Sequence, residues 1–228
     1  PVEEVTEGTN AYPGYTQTPT EAVQEEVTKK VDASVSNIQI NQTNDTVNFY
    51  NESDGKFYRL KNDGSVVAMS DKVFYNVDTV TWAPTSNQAV LEYPDGSNIY
   101  YNFDINKQVT LPTYWEDFSF ASQGDKIAAK SIALAPENRW LITSDPDGKN
   151  VNYVEHMGEN ANKVIVDWSP TRQFVALSTT GEPLGDDRQE VLFVGQNGEN
   201  FPSVIVEGYG LGTKWSPTGD KLLYNIYS

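Results

Sequence analysis

The chain has 228 residues, 16 basic against 32 acidic, with one histidine and no cysteine. A net charge of −16 repels phosphates and anionic head groups, so nucleic acid is not expected as a partner, and without cysteine there are neither disulfides nor thiolate metal sites. No apolar run approaches the roughly 18 residues of a membrane span, so no membrane insertion by this segment is expected, while 12% aromatic residues are enough to build a buried core.

Residues 1–34 differ in composition from the rest. Glu3, Glu4, Glu7, Glu21, Glu25, Glu26 and Asp32 face only Lys29 and Lys30, with Thr, Pro and Gly between them, which predicts a solvated acidic linker. Within it, Thr18-Pro19-Thr20-Glu21 supplies an N-cap, a proline at the first helical position and a capping acid. Val23, Val27 and Val31 then recur every four residues, predicting a short helix whose valine stripe either docks on the following domain or frays.

From Val35 to Ser228 the pattern becomes that of strands. The first group is Ser36–Ile40, Thr46–Tyr50, Lys56–Leu60 and Ser65–Met69, separated by the turn sequences Asn51-Glu52-Ser53-Asp54-Gly55 and Asn62-Asp63-Gly64. Thr79–Trp82, Ala89–Tyr93, Asn98–Phe103 and Gln108–Leu111 form the second group, with Pro94-Asp95-Gly96 as its clearest turn. A third runs from Phe118 through Ile127–Lys130, Trp140–Ser144 and Val151–Val154, and a fourth from Val164 through Phe174–Ser178, Glu190–Val194 and Val204–Val206. Only two strands of a fifth follow, and the last residues still read as strand, so the chain is expected to be a piece of a longer protein.

One phrase recurs at the start of each group. Trp215-Ser216-Pro217-Thr218-Gly219-Asp220-Lys221 is matched by Trp168-Ser169-Pro170-Thr171, by Phe120-Ala121-Ser122-Gln123-Gly124-Asp125-Lys126 and by Trp82-Ala83-Pro84-Thr85, with a fainter copy at Ile40-Asn41-Gln42-Thr43. An aromatic closing a strand fills the gap between sheets, proline then ends the strand, and glycine takes the positive φ of the reversal. With Ile40, Trp82, Phe120, Trp168 and Trp215 as equivalent structural anchors, the intervals are 42, 38, 48 and 47 residues. That period belongs to four-stranded propeller blades, so the fold expected is all-β, a β-propeller with four complete antiparallel blades and part of a fifth.

The anchors at 215–221, 168–170 and 82–84 resemble the blades of the TolB-like, WD-repeat-like β-propeller family, which centre on Trp-Ser-Pro-Asp-Gly-Lys. The resemblance covers about Val35 to Ser228; it departs from the motif at Ile40 and at Phe120-Ala121-Ser122, and Thr or Ser replaces the usual turn Asp. It implies an extracytoplasmic propeller, periplasmic or at the cell surface, used as a binding platform. Similar blades precede the hydrolase domain of some serine peptidases. The motif is structural, so the resemblance transfers no functional residue.

Catalytic patterns are sparse. His156 follows a strand in a turn-like place, and no Gly-x-Ser-x-Gly elbow accompanies it. Gly208-Tyr209-Gly210-Leu211-Gly212 leads into a strand and lacks the Lys-Ser/Thr of a phosphate loop, so it reads as an inter-blade connection. Asp145-Pro146-Asp147-Gly148-Lys149-Asn150 begins like a calcium loop but has Lys149 at a ligand position and no closing Glu, so it reads as a turn. The acidic pairs Glu116-Asp117 and Asp186-Asp187 read as solvated surface. No cofactor and no metal are expected.

The connections entering the anchors carry Phe74, Tyr75, Tyr114, Trp115 and Tyr209, each five to eight residues before its anchor. Equivalent positions on neighbouring blades place them on one face, where rigid aromatics with polar tips would bind a protein or peptide. The alternative is that these rings pack between blades. The sequence therefore predicts a non-catalytic binding or scaffold module that also contacts the remaining blades of its parent chain. The alternative function is an accessory propeller of a larger enzyme, such as a prolyl-oligopeptidase-like serine peptidase.

Overall fold

The structure is a computed structural model describing residues 34–180, 184–185, 187–199 and 201–227. The helix expected at residues 18–31 lies outside them. Blade 1 consists of β1 (Val35–Ile40), β2 (Val47–Asn51), β3 (Lys56–Leu60) and β4 (Val66–Ala68). Blade 2 consists of β5 (Thr79–Trp82), β6 (Gln88–Glu92), β7 (Asn98–Asn102) and β8 (Lys107–Leu111). Blade 3 consists of β9 (Trp115–Phe120), β10 (Ile127–Ser131), β11 (Trp140–Ser144) and β12 (Asn152–His156). Blade 4 consists of β13 (Val164–Val166), β14 (Phe174–Ser178), β15 (Arg188–Gly195) and β16 (Val204–Glu207), and β17 (Tyr209–Trp215) pairs with β18 (Leu222–Tyr227) as a fifth sheet.

Within each blade the strands pair antiparallel in chain order, as tight hairpins dictate. The first strands of successive blades contact one another, β1 with β5, β5 with β9 and β9 with β13, so they line the axis. Because strand direction alternates, each blade's first and third turns emerge on one face, the turn face. Its second turn and the connection to the next blade emerge on the other, the connection face.

The anchors share one backbone geometry. The amide after each donates to the carbonyl five residues on: Asn41 to Thr46 (2.8 Å), Ala83 to Gln88 (2.9 Å), Ala121 to Lys126 (3.0 Å), Ser169 to Phe174 (2.9 Å) and Ser216 to Lys221 (2.9 Å). Serine in the motif adds a cap, since Ser169 Oγ accepts from the Phe174 amide at 3.0 Å and Ser216 Oγ from the Lys221 amide at 3.1 Å. The turns also bind each other along the axis. Thr43 Oγ1 donates to the Thr85 carbonyl (3.1 Å), Thr85 Oγ1 to the Ser122 carbonyl (2.9 Å), and Arg172 holds Asp125 through two bonds of 2.7 and 3.1 Å. Glycine is required where one turn presses on the next: at Gly219, φ +71°, an added Cβ would lie 3.0 Å from the Thr171 amide nitrogen.

Each buried anchor packs into the blade before it. Trp82 stands edge-on to Phe57 of blade 1 at 5.4 Å, Phe120 joins Val90, Tyr100 and Leu111 of blade 2, and Trp168 joins Ala128, Leu141 and Met157 of blade 3. Their exposures are 7%, 4% and 5%. Trp215 is half-buried, stacked on Phe174 of blade 4 at 5.7 Å. Ile40, the anchor without an aromatic ring, differs. It is 61% exposed, because no described blade precedes β1 to cover it.

Candidate binding surface

The predicted aromatic face divides in two. Tyr75 and Tyr114 stand 66% and 54% exposed, in the connections that enter β5 and β9. Phe74 and Trp115 do not: they are core residues, 6% and 4% exposed, and their assignment to a contact surface is corrected. Phe74 packs edge-on against Phe57 (5.6 Å) and Tyr101 (5.0 Å), and its carbonyl accepts the Tyr50 hydroxyl at 2.5 Å. Trp115 opens β9 and packs with Leu111, Val90 and Tyr100, while Asn98 Nδ2 ties its carbonyl at 2.6 Å. Trp115 is the first residue of β9, whereas Phe74 lies in the connection before β5, where its amide donates to the Gly55 carbonyl at 2.7 Å. Tyr209 opens β17, where its backbone pairs with Tyr227.

Tyr114, in the connection entering blade 3, lines an open groove of about 500 Å³ on that blade together with Ser131, Ala133, Asn138, Trp140 and Tyr153. Trp140 starts β11, pairs with Ser131 on one side and His156 on the other, and half-buries its ring against the blade 2–3 core. Tyr153, 62% exposed, stands edge-on to it with centroids 5.6 Å apart and planes at 74°. The His156 ring adds a third plane, 4.9 Å from Trp140 at 63°. Period-2 alternation in β11 and β12 signals these rings in the sequence, yet it does not tell which sheet face a neighbouring blade leaves uncovered.

His156 closes β12 and so lies in a strand, a correction to its expected turn-like place. Its Nε2 lies 3.1 Å from the Glu137 carbonyl. It also borders a cleft of about 320 Å³ between blades 3 and 4, whose walls include Leu141, Met157, Phe193 and Phe201.

A second constellation lies beside the axis. Glu92, Asp117, Lys130, Thr79, Thr81 and Asn162 line a cavity of about 430 Å³. Asp117 sits in a left-handed bulge (φ 54°) and holds the buried Lys130 ammonium at 2.5 Å. Burial, and then the Asp117 charge, push the Glu92 carboxyl up to about 7, against an opposing hydrogen bond from the Asp117 backbone. Of the pair read as solvated surface, both residues are exposed, and Asp117 in addition pairs with Lys130.

On the turn face, Asp145 takes Lys126 and Asn150, each at 2.6 Å, and Asp147 takes Lys107 (3.1 Å) and Lys149 (3.0 Å). These bonds hold both carboxyls below the usual range. The segment closes as a turn through Gly148 N–H to the Asp145 carbonyl (2.9 Å). Among the described residues no three His, Cys, Asp or Glu side chains gather as a metal site. No helix there is long and apolar enough to cross a membrane.

No protein-family model matches the chain, and no curated protein matches its sequence. Solved structures do match. The β-propeller domain of Cps50 (Swd1) from Myceliophteria thermophila aligns with a TM-score of 0.55 at 12% identity, over 86% of this chain and 63% of that one. An oligogalacturonate lyase from Vibrio parahaemolyticus gives 0.55 at 12% identity over 86% and 61%. Hydrazine synthase of Kuenenia stuttgartiensis gives 0.52 at 12% identity over 86% and 57%. The fold is a β-propeller. The chain spans about three fifths of these structures' length, and at such identity the likeness carries the fold alone.

Proposed function

We propose that the chain is a non-catalytic binding or scaffold module, presenting its connection face to a protein or peptide partner. The observation that carries this reading is the exposure of Tyr75 and Tyr114 beside the buried Phe74 and Trp115. The fold needs the inner residue of each pair for its core. The outer one supplies rigid contact area at low entropy cost, which is what a recognition surface uses. The Trp-Ser-Pro anchors further support a TolB-like, WD-repeat-like propeller working outside the cytoplasm, in the periplasm or at the cell surface. The remaining blades of its parent chain would be its intramolecular partners.

Chemistry favours binding over turnover. The chain has one histidine and no cysteine, and the His156 ring is engaged by Trp140 and the Glu137 carbonyl. Replacing Tyr75, Tyr114 and Tyr153 together by Ser should abolish capture of a partner from native extract, while the circular-dichroism spectrum and melting temperature stay put. Hydrolysis by the purified chain that vanishes in His156→Ala would refute the reading.

The axial cluster favours a second reading, an accessory propeller of a larger enzyme such as a prolyl-oligopeptidase-like serine peptidase. A carboxyl titrating near 7 in a cavity beside a buried lysine is suited to proton transfer. In the full-length parent, Glu92→Gln would then lower turnover and leave partner capture unchanged.

A further inference from the structure

We propose that the groove on blade 3 receives a cationic side chain, lysine or arginine, from a basic peptide. The inference rests on the binding reading above and names the partner's chemistry. Ring faces carry the negative pole of the aromatic quadrupole, and rings set at steep angles present that pole to one point from several sides. Trp140 and Tyr153 meet at 74°, and Tyr114 lines the same groove. The protein already uses this interaction inside the fold, where Lys72 Nζ lies 5.5 Å from the centroid of the Tyr101 ring.

Charge selects the occupant. The segments that build the groove, residues 114–117, 131–140 and 152–156, carry Glu116, Glu137 and Glu155 as exposed acids, Asp117 being already paired with Lys130, against the single base Arg139. Arg139 is already engaged: its guanidinium donates to the Ala133 (3.0 Å) and Leu134 (3.2 Å) carbonyls and pairs with Glu159 at 3.6 Å. With a net charge of −16 over the whole chain, an approaching base is steered in and an acidic peptide is turned away.

Isothermal calorimetry on the full chain at low ionic strength tests this with N-acetyl-hexalysine amide, choline and maltohexaose as probes. Hexalysine should bind saturably and choline should compete. Because Trp140 is partly core, the variants use the exposed tyrosines. Tyr153→Ser and Tyr114→Ser should each weaken hexalysine by about two- to fivefold, the range of an exposed cation–π contact, while Tyr153→Phe, which keeps the ring, should stay close to the parent. Hexalysine binding that ignores the Ser variants would reflect bulk charge alone and overturn the proposal. So would a Phe variant as damaged as the Ser one, or maltohexaose occupying the groove in place of the cations. A natural partner that needs these tyrosines but is not displaced by hexalysine would overturn the cationic ligand and keep the binding module. Cation binding at the tyrosines with no partner capture would do the reverse.

Discussion

In blades 2, 3 and 4 the residue at the anchor is shielded by the blade before it, whereas in blade 1 the same position, Ile40, is 61% exposed. Yet the turn after Ile40 closes through the same amide-to-carbonyl bond as the others. The turn is therefore a local product of the sequence, while burial of the anchor is a property of the pair of blades. Stability in such an array resides in interfaces between neighbours as much as in the repeats themselves.

The comparison breaks most readily at the anchors. Trp82→Ala and Phe120→Ala each remove a ring from a filled gap between blades and should cost about 3–5 kcal/mol, whereas Ile40→Ala should cost less than about 1 kcal/mol. Urea unfolding midpoints decide it; equal losses at Ile40 and Trp82 would mean that the anchor is stabilised by its own blade. The adjacent pairs on the connection face repeat the contrast at one-residue spacing. Phe74→Ser and Trp115→Ser should lose about 3–5 kcal/mol, and Tyr75→Ser and Tyr114→Ser should stay within about 0.5 kcal/mol of the parent.

Local signals were the legible ones. Recurrence of Trp-Ser-Pro and its glycine turn located the blades, their hairpins and the equivalence of the anchors, because each follows from a few neighbouring residues. The burial of Trp115 was not legible because β9 begins at Trp115 rather than at Phe118, and that of Phe74 because its ring meets Phe57 and Tyr101 of two different blades. Trp140 and Tyr153 carry no local signal of a site. They sit in ordinary strands, and the groove they line joins them to residues of the connections entering β9 and β11, which are distant in the chain. The cluster of Glu92, Asp117 and Lys130 draws on two blades and a bulge, and no spacing in the chain announces it.

Titration separates the axis from the turn face. Asp145 and Asp147 are held low by lysines, so their contribution to stability is lost as pH falls through their folded values. Glu92 has the opposite sign: its folded carboxyl titrates near 7 against 4.5 for the ordinary group, so the native state binds the extra proton and loses stability as pH rises from 4.5 to 7. Discounted for partial exposure, the loss should be on the order of 1–3 kcal/mol. Glu92→Gln should unfold at the parent's temperature near pH 4.5 and at a higher one above pH 7, by differential scanning calorimetry. A constant difference across that window would show that the carboxyl is not desolvated.

The smallest effect sharpens the comparison between two anchors that are equally buried. Trp82 Nε1 donates to the Asn37 carbonyl of blade 1 at 2.7 Å, and Asn37 reaches that position by adopting a left-handed φ of 51° in the bulge of β1. Among the described residues Trp168 Nε1 is buried with no acceptor, although its ring fills the matching gap between blades 3 and 4. Replacement by Phe removes comparable ring atoms from both sites, so cavity terms nearly cancel in the difference. What remains is a hydrogen bond lost at residue 82, with the Asn37 carbonyl left without its donor, against an unmet donor removed at residue 168. Trp82→Phe should therefore cost at least about 1 kcal/mol more than Trp168→Phe in matched urea titrations. Equal costs would mean that Trp168 Nε1 finds an acceptor in solution, and that the two blade interfaces are closed by the same bond after all.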